Sequence, residues 1–181
     1  MPVIMSVKNA ITDERIRIMF VCLGNICRSP LAECVFRTLV EDAGLEERFE
    51  VHSSGTGSWH VGDLADARMR ETARRFGHSL DVHRGRQLKA HDLARYDHIF
   101  VMDKSNLHDV LFLDPTDEHS NKVRLFREFD PAPDDYQVPD PYYGGEEGFE
   151  NVYRIVERTA RSLLSRLIDA HHLQDGHDSA A

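Results

Sequence analysis

Ile16-Arg17-Ile18-Met19-Phe20-Val21, running directly into Cys22-Leu23-Gly24-Asn25-Ile26-Cys27-Arg28-Ser29-Pro30, decides how this chain is read. The first six residues form an apolar strand interrupted only by Arg17. Ser29 suits a helix N-cap and Pro30 the first helical position, where a missing N–H costs nothing. A loop entering a helix in this way aims backbone N–H groups and the positive end of the helix dipole at one point, which makes an anion site. Gly24 permits a tight path, and Asn25 tolerates unusual backbone angles. A thiolate is a nucleophile, and Cys22 stands at the mouth of the loop. Arg28 adds a planar fork matched to two phosphate oxygens. The pattern points to a cysteine that attacks a bound phosphoryl group. A plain buried cysteine would account for Cys22 alone, but not for the ordered set of strand, glycine, arginine, serine and proline.

Strand-like and helix-like segments alternate through the rest of the chain. Residues 31–43 read as a helix closed by Gly44, 49–53 as a strand, and 64–76 as helical up to Gly77. Residues 99–102 form a short strand, 105–112 a helix and 122–126 a fourth strand. Val152, Ile155, Val156, Leu163, Leu164, Leu167 and Ile168 repeat at three and four residues on one face of a last helix. This alternation predicts an α/β fold: one three-layer domain with a small, about four-stranded parallel sheet flanked by helices, and the phosphate loop after strand 1. The domain is expected over residues 15–172, with 1–14 and 173–181 as fraying termini. In such sheets ligands bind beyond the carboxyl ends of the strands. The Cys22 loop, the Ser53–Gly57 loop and the Met102–Asp103 turn are therefore expected to share one crevice. Residues 130–148, rich in Pro, Asp, Gly and Tyr, make a loop long enough to be functional.

A chain of 181 residues, 41% hydrophobic and 29% charged, suits one globular domain. Its net charge of −9 argues against a general nucleic-acid binder. The three cysteines, Cys22, Cys27 and Cys34, cluster in one segment, unlike a secreted disulfide framework. The N-terminus lacks the apolar core of a signal peptide, and no apolar run is long enough to span a bilayer. A cytoplasmic location is the expectation. His171-His172 and His177 match no metal-ligand spacing, and neither metal nor cofactor is expected.

The loop closely resembles the signature of the low-molecular-weight protein tyrosine phosphatases. Further blocks follow in the family's order: His52-Ser53-Ser54-Gly55-Thr56-Gly57-Ser58-Trp59-His60-Val61-Gly62, Arg86-Gln87-Leu88, Val101-Met102-Asp103-Lys104-Ser105-Asn106-Leu107 and Val138-Pro139-Asp140-Pro141-Tyr142-Tyr143-Gly144-Gly145. Together they cover most of residues 16–170, and the 138–147 segment is similar to the bacterial branch. The resemblance implies Cys22 as nucleophile, with the Arg28 guanidinium and the loop amides from Leu23 through Gly24, Asn25, Ile26 and Cys27 to Arg28 around the phosphate, and Ser29 among the binding residues. Asp114-Pro115, Asp130-Pro131 and Asp140-Pro141 are equivalent by composition, and the resemblance selects Asp140, followed by Tyr142 and Tyr143, as general acid and base. It also implies that Ser29, Ser53 and His83 hold Asn25, and that Ser29 stabilises the nucleophile. Trp59, Tyr142 and Tyr143 would wall the entrance, and Leu23 and Ile26 would line the floor or shield the sulfur. Cys27 would capture an oxidised Cys22 as a disulfide.

The implied partner is a phosphotyrosine-containing protein, a tyrosine kinase among the candidates, and the expected state is monomer or weak dimer. Thioredoxin-linked arsenate reductases of this fold need cysteines well downstream, and this chain has none after Cys34. Related protein arginine phosphatases tend to carry threonine where Ile26 stands. A catalytically silent phosphate-binding module fits poorly with the presence of both Cys22 and Asp140.

Overall fold

In a computed structural model, which describes residues 14–173, the opening strand becomes β1 (Ile16–Cys22). It pairs in parallel with β2 (Phe49–Gly55) on one side and β3 (His98–Val101) on the other. β4 (Val123–Leu125) extends the sheet to the order β2-β1-β3-β4. A central parallel strand is covered on both faces, and the two-residue alternation of β1 divides its side chains accordingly. Ile16, Ile18, Phe20 and Cys22 enter one core cluster, Met19 and Val21 the other. The first cluster is closed by α1 (Arg28–Asp42), α2 (Ala67–Arg75) and the long α5 (Glu146–Ala170). The second is closed by α3 (Ala90–Arg95) and α4 (Lys104–Phe112). The result is the three-layer α/β arrangement that the alternation predicts.

The sequence misplaces several details. α1 begins at Arg28 with Cys27 at the N-cap position, so Ser29 lies inside the first turn and does not cap the helix. Its hydroxyl is turned toward the loop, where it has better partners. α2 starts only at Ala67 because Asp66 caps it, accepting from the Arg68 amide at 2.8 Å. The six-residue α3 is too short to show a period in sequence. Leu173, assigned to the tail, packs into the core. The expectations for residues 1–13 and 174–181, frayed termini and His177 among them, lie outside the described residues. Among the described residues no helix is long and apolar enough to cross a membrane.

Two of the three Asp-Pro pairs have structural duties. Asp114 accepts backbone N–H bonds from His119 at 2.7 Å and Glu118 at 3.2 Å, closing a turn. Asp130 is buried and takes the Arg158 guanidinium in two bonds, at 2.7 and 2.8 Å, with Arg127 at 3.0 Å and the Ala132 amide at 3.0 Å. Burial alone would raise its pKa, but the bonds from Arg158, Ala132 and Arg127 outweigh burial and hold it at about 2, against an ordinary 3.8. A depressed carboxylate adds stability above its unfolded pKa and loses it as pH falls through the folded one. This pair therefore contributes about 2 kcal/mol near neutrality. Asp130→Asn is expected to lower unfolding free energy by about 3 kcal/mol at pH 7. In urea titrations the gap between wild type and variant should narrow as the pH falls from 3.8 toward 2. A gap independent of pH over that range would show that the carboxylate charge is not what matters.

Candidate active site

The loop that follows β1 wraps around its own cysteine. Cys22 Sγ lies 3.0 Å from Ser29 Oγ and accepts from the Asn25 amide at 3.3 Å. The left-handed residue is Asn25, at φ 56°, so the asparagine and not Gly24 makes the tight bend. Gly24 instead makes room for a neighbour, since a Cβ there would stand 3.2 Å from the His60 ring. Gly55, at the end of β2, is the seat of the loop: a Cβ would fall 2.7 Å from the Leu23 carbonyl. Thr56 N and Gly57 N donate to Cys22 O and Leu23 O, both at 2.9 Å.

Asn25 is fixed from every side. Its Nδ2 donates to Ser29 Oγ at 2.9 Å and to Ser53 Oγ at 3.0 Å. Its Oδ1 accepts the Arg86 amide at 2.9 Å, and His83 Nε2 sits 2.8 Å from its carbonyl. Ser53 Oγ in turn donates to Glu33. With Asn25 so held, the loop keeps its N–H groups pointing inward. Among the described residues, the amides of Leu23, Gly24, Ile26 and Cys27 have no protein acceptor. A ring of free donors at a helix N-terminus is a cradle for an anion.

Arg28 is buried, yet its guanidinium faces the cradle. Nη1 donates to Asp103 at 2.7 Å and to the Val138 carbonyl at 3.1 Å, and Nη2 reaches Asp140 at 3.4 Å. Burial works against its charge, but Cys22, Asp103 and Asp140 together outweigh it. Val138 N donates to Met102 O at 2.8 Å, which ties the 130–145 loop to the end of β3. The three loops that follow strands therefore do meet at one crevice.

A cavity of about 200 Å³ opens above the loop, lined by Cys22, Leu23, Gly24, Ile26, Cys27, Arg28, Trp59, His60, Asp140, Tyr142 and Tyr143. Of the three Asp-Pro aspartates, only Asp140 faces it. Ile26 is buried in the wall, whereas Leu23, Trp59, Tyr142 and Tyr143 are exposed at the rim, Trp59 at 72%. Ser29, Ser53 and His83 lie behind the loop on Asn25. Cys22 and Cys27 are both free thiols, and burial pushes the Cys27 thiol up, with Asp66 and Cys22 adding to the effect. Sequence reasoning did not assign roles to Asp103, Glu33, Gly55, His60 or Arg68. Asp103 was legible only as a member of a turn after a strand and of one family-like block, without a role of its own.

The fold and this site define a class: α/β proteins that hold an oxyanion over a cysteine in a loop between the first strand and first helix. Residues 17–173 match the family model for low molecular weight phosphotyrosine protein phosphatase. A Streptomyces coelicolor protein named low molecular weight protein-tyrosine-phosphatase is 46% identical over 151 residues, covering 82% of this chain and 92% of that relative. The human low molecular weight phosphotyrosine protein phosphatase is 38% identical over 156 residues, 82% of this chain and 94% of its own. The crystal structure of a protein tyrosine phosphatase from Entamoeba histolytica, with Hepes in its active site, superposes with a TM-score of 0.82. It is 36% identical and covers 86% of this chain and 99% of its own. This chain belongs to the low molecular weight phosphotyrosine protein phosphatase family.

Proposed function

We propose that this protein hydrolyses phosphotyrosine in proteins through a phosphocysteine intermediate. The observation that carries the reading is that Cys22, Arg28 and Asp140 face one cavity whose loop amides are free to donate to an oxyanion. The phosphoryl oxygens bind the amides of the loop and the Arg28 fork, displacing the Arg28–Asp140 contact. The Cys22 thiolate attacks phosphorus, forming the S–P bond as the P–O bond to the aryl group breaks. Asp140 gives its proton to the departing phenolate oxygen. Water then attacks phosphorus, Asp140 takes the water's proton, and the S–P bond breaks to release phosphate and thiolate. Ser29 and the Asn25 amide stay on the sulfur throughout, so charge returning to it meets donors already in place.

Trp59 and Tyr142 at the rim and Ile26 in the wall offer an aryl ring apolar contact. Ile26, where the phosphoarginine-directed relatives carry a hydroxyl, favours phosphotyrosine over phosphoarginine. We place the action in the cytoplasm of a bacterial cell, on phosphotyrosyl proteins that include tyrosine kinases as candidates.

Turnover of a panel of aryl phosphates tests the reading. Asp140→Asn should reduce kcat/KM, which covers only the steps up to loss of the aryl group, by about 10²-fold or more for phosphotyrosine, whose leaving group needs a proton, and little for dinitrophenyl phosphate. Equal loss across leaving groups would remove Asp140 as the acid. Faster wild-type turnover of phosphoarginine than of phosphotyrosine would favour the other substrate class.

A further inference from the structure

The segment that carries Asp140 is loosely attached. Among the described residues, the backbone of 139–144 makes no hydrogen bond to another element, since Gly144 N donates within the segment to Pro141 O. Asp140 Oδ1 is occupied locally, accepting the Tyr142 amide at 3.1 Å. Its other oxygen faces Arg28, and that contact is given up when Arg28 turns to a phosphoryl group. Pro141 is buried and supplies one anchor. A general acid needs a fixed direction, so something further must hold this segment once phosphate is bound.

Arg68 occupies the position for that task. Its guanidinium carbon lies 5.4 Å from the centre of the Tyr142 ring and 4.7 Å from that of Phe149, a fully buried residue of α5. The same guanidinium is oriented by a fork onto Asp66, Nε to Oδ1 at 3.1 Å and Nη2 to Oδ2 at 2.9 Å. The backbone N–H of Asp66 donates to the Ile26 carbonyl in the phosphate loop at 2.8 Å. A continuous chain of contacts therefore runs from the phosphate loop through Asp66 and Arg68 to Tyr142, two residues from the acid. Arg68 does not line the cavity and makes no hydrogen bond to Cys22, whose partners are Ser29 and the Asn25 amide.

We infer that Arg68 is a positioning residue for the general acid, clamping Tyr142, and with it Asp140, over the phosphate loop. The inference rests on the acid role given to Asp140 under Proposed function. A cation over an aromatic face resists displacement without a fixed hydrogen-bond geometry. The clamp therefore holds the wall while leaving Asp140 free to turn from Arg28 to the leaving oxygen.

Arg68→Met keeps most of the side-chain volume and the backbone amide that Asp66 uses to cap α2. It should lower kcat/KM about three- to tenfold for phosphotyrosine and leave kcat/KM for dinitrophenyl phosphate and competitive inhibition by inorganic phosphate unchanged. Arg68→Lys, which retains the cation, should recover part of the loss. In an Asp140→Asn background, Arg68→Met should have no further effect, because the group it positions no longer donates a proton. An equal loss with both leaving groups, or a loss that persists in the Asp140→Asn background, would overturn the clamp. No loss in Arg68→Met would overturn it as well. If Asp140→Asn itself shows no dependence on leaving group, the acid assignment fails and the clamp with it. If that dependence is present and absent in Arg68→Met, only the clamp fails.

Discussion

Cys22→Ser should abolish turnover of aryl phosphates, by on the order of 10⁴-fold or more, while the protein still binds inorganic phosphate within roughly an order of magnitude of wild type. The two halves of this result come from different parts of the site. Binding is the work of the loop amides and Arg28, none of which the substitution touches. Bond making belongs to the sulfur, and a serine hydroxyl is a poor nucleophile without a base beside it. The hydroxyl also fits the space, since the sulfur already sits within hydrogen-bond reach of Ser29 Oγ and the Asn25 amide. The checks are steady-state turnover and phosphate binding by calorimetry on the same preparation. Appreciable turnover in the variant would mean that the nucleophile lies elsewhere. Loss of phosphate binding would mean that the sulfur, and not the amides, organises the cradle.

Arg28→Lys should lose on the order of 10²–10³-fold in kcat/KM, even though the charge is kept. A lysine offers a point charge on a flexible stem, whereas the guanidinium presents a planar fork. The structure adds a second reason. Arg28 bonds Asp103 and the Val138 carbonyl through Nη1 while Nη2 faces Asp140 and the cradle. One ammonium cannot hold the 138–140 segment and the phosphoryl oxygens together. Phosphate affinity should fall along with kcat, in contrast to Cys22→Ser, and circular dichroism should show that the fold persists. A near-normal rate would show that the arginine serves only to pin the loop.

These two residues were open to reading because their message is local. A strand, a glycine, an arginine, a serine and a proline in that order state a loop geometry within fifteen residues. Asp140 was different. Composition left three Asp-Pro pairs equivalent, and only the family resemblance separated them. In three dimensions the difference is physical: Asp114 closes a turn, Asp130 is saturated by Arg127 and Arg158, and Asp140 alone faces the cavity. Ser29 shows the opposite error. Its local preference for capping was real, but the Cys22 sulfur, Asn25 and the Ser54 carbonyl compete for its hydroxyl and win.

The sequence by itself determined the alternation of strands and helices, the anion loop and its cysteine and arginine. All of these depend on backbone preferences and apolar periods among near neighbours. The tertiary structure alone decided that Asp103 and Val138 hold Arg28, that Glu33 supports Ser53, and that Arg68 lies over Tyr142. Those partners are ordinary residues separated from one another by 20 to 110 positions. No local signal marks such pairs, because it is the strand order of the sheet, β2-β1-β3-β4, that brings the ends of distant strands to one crevice.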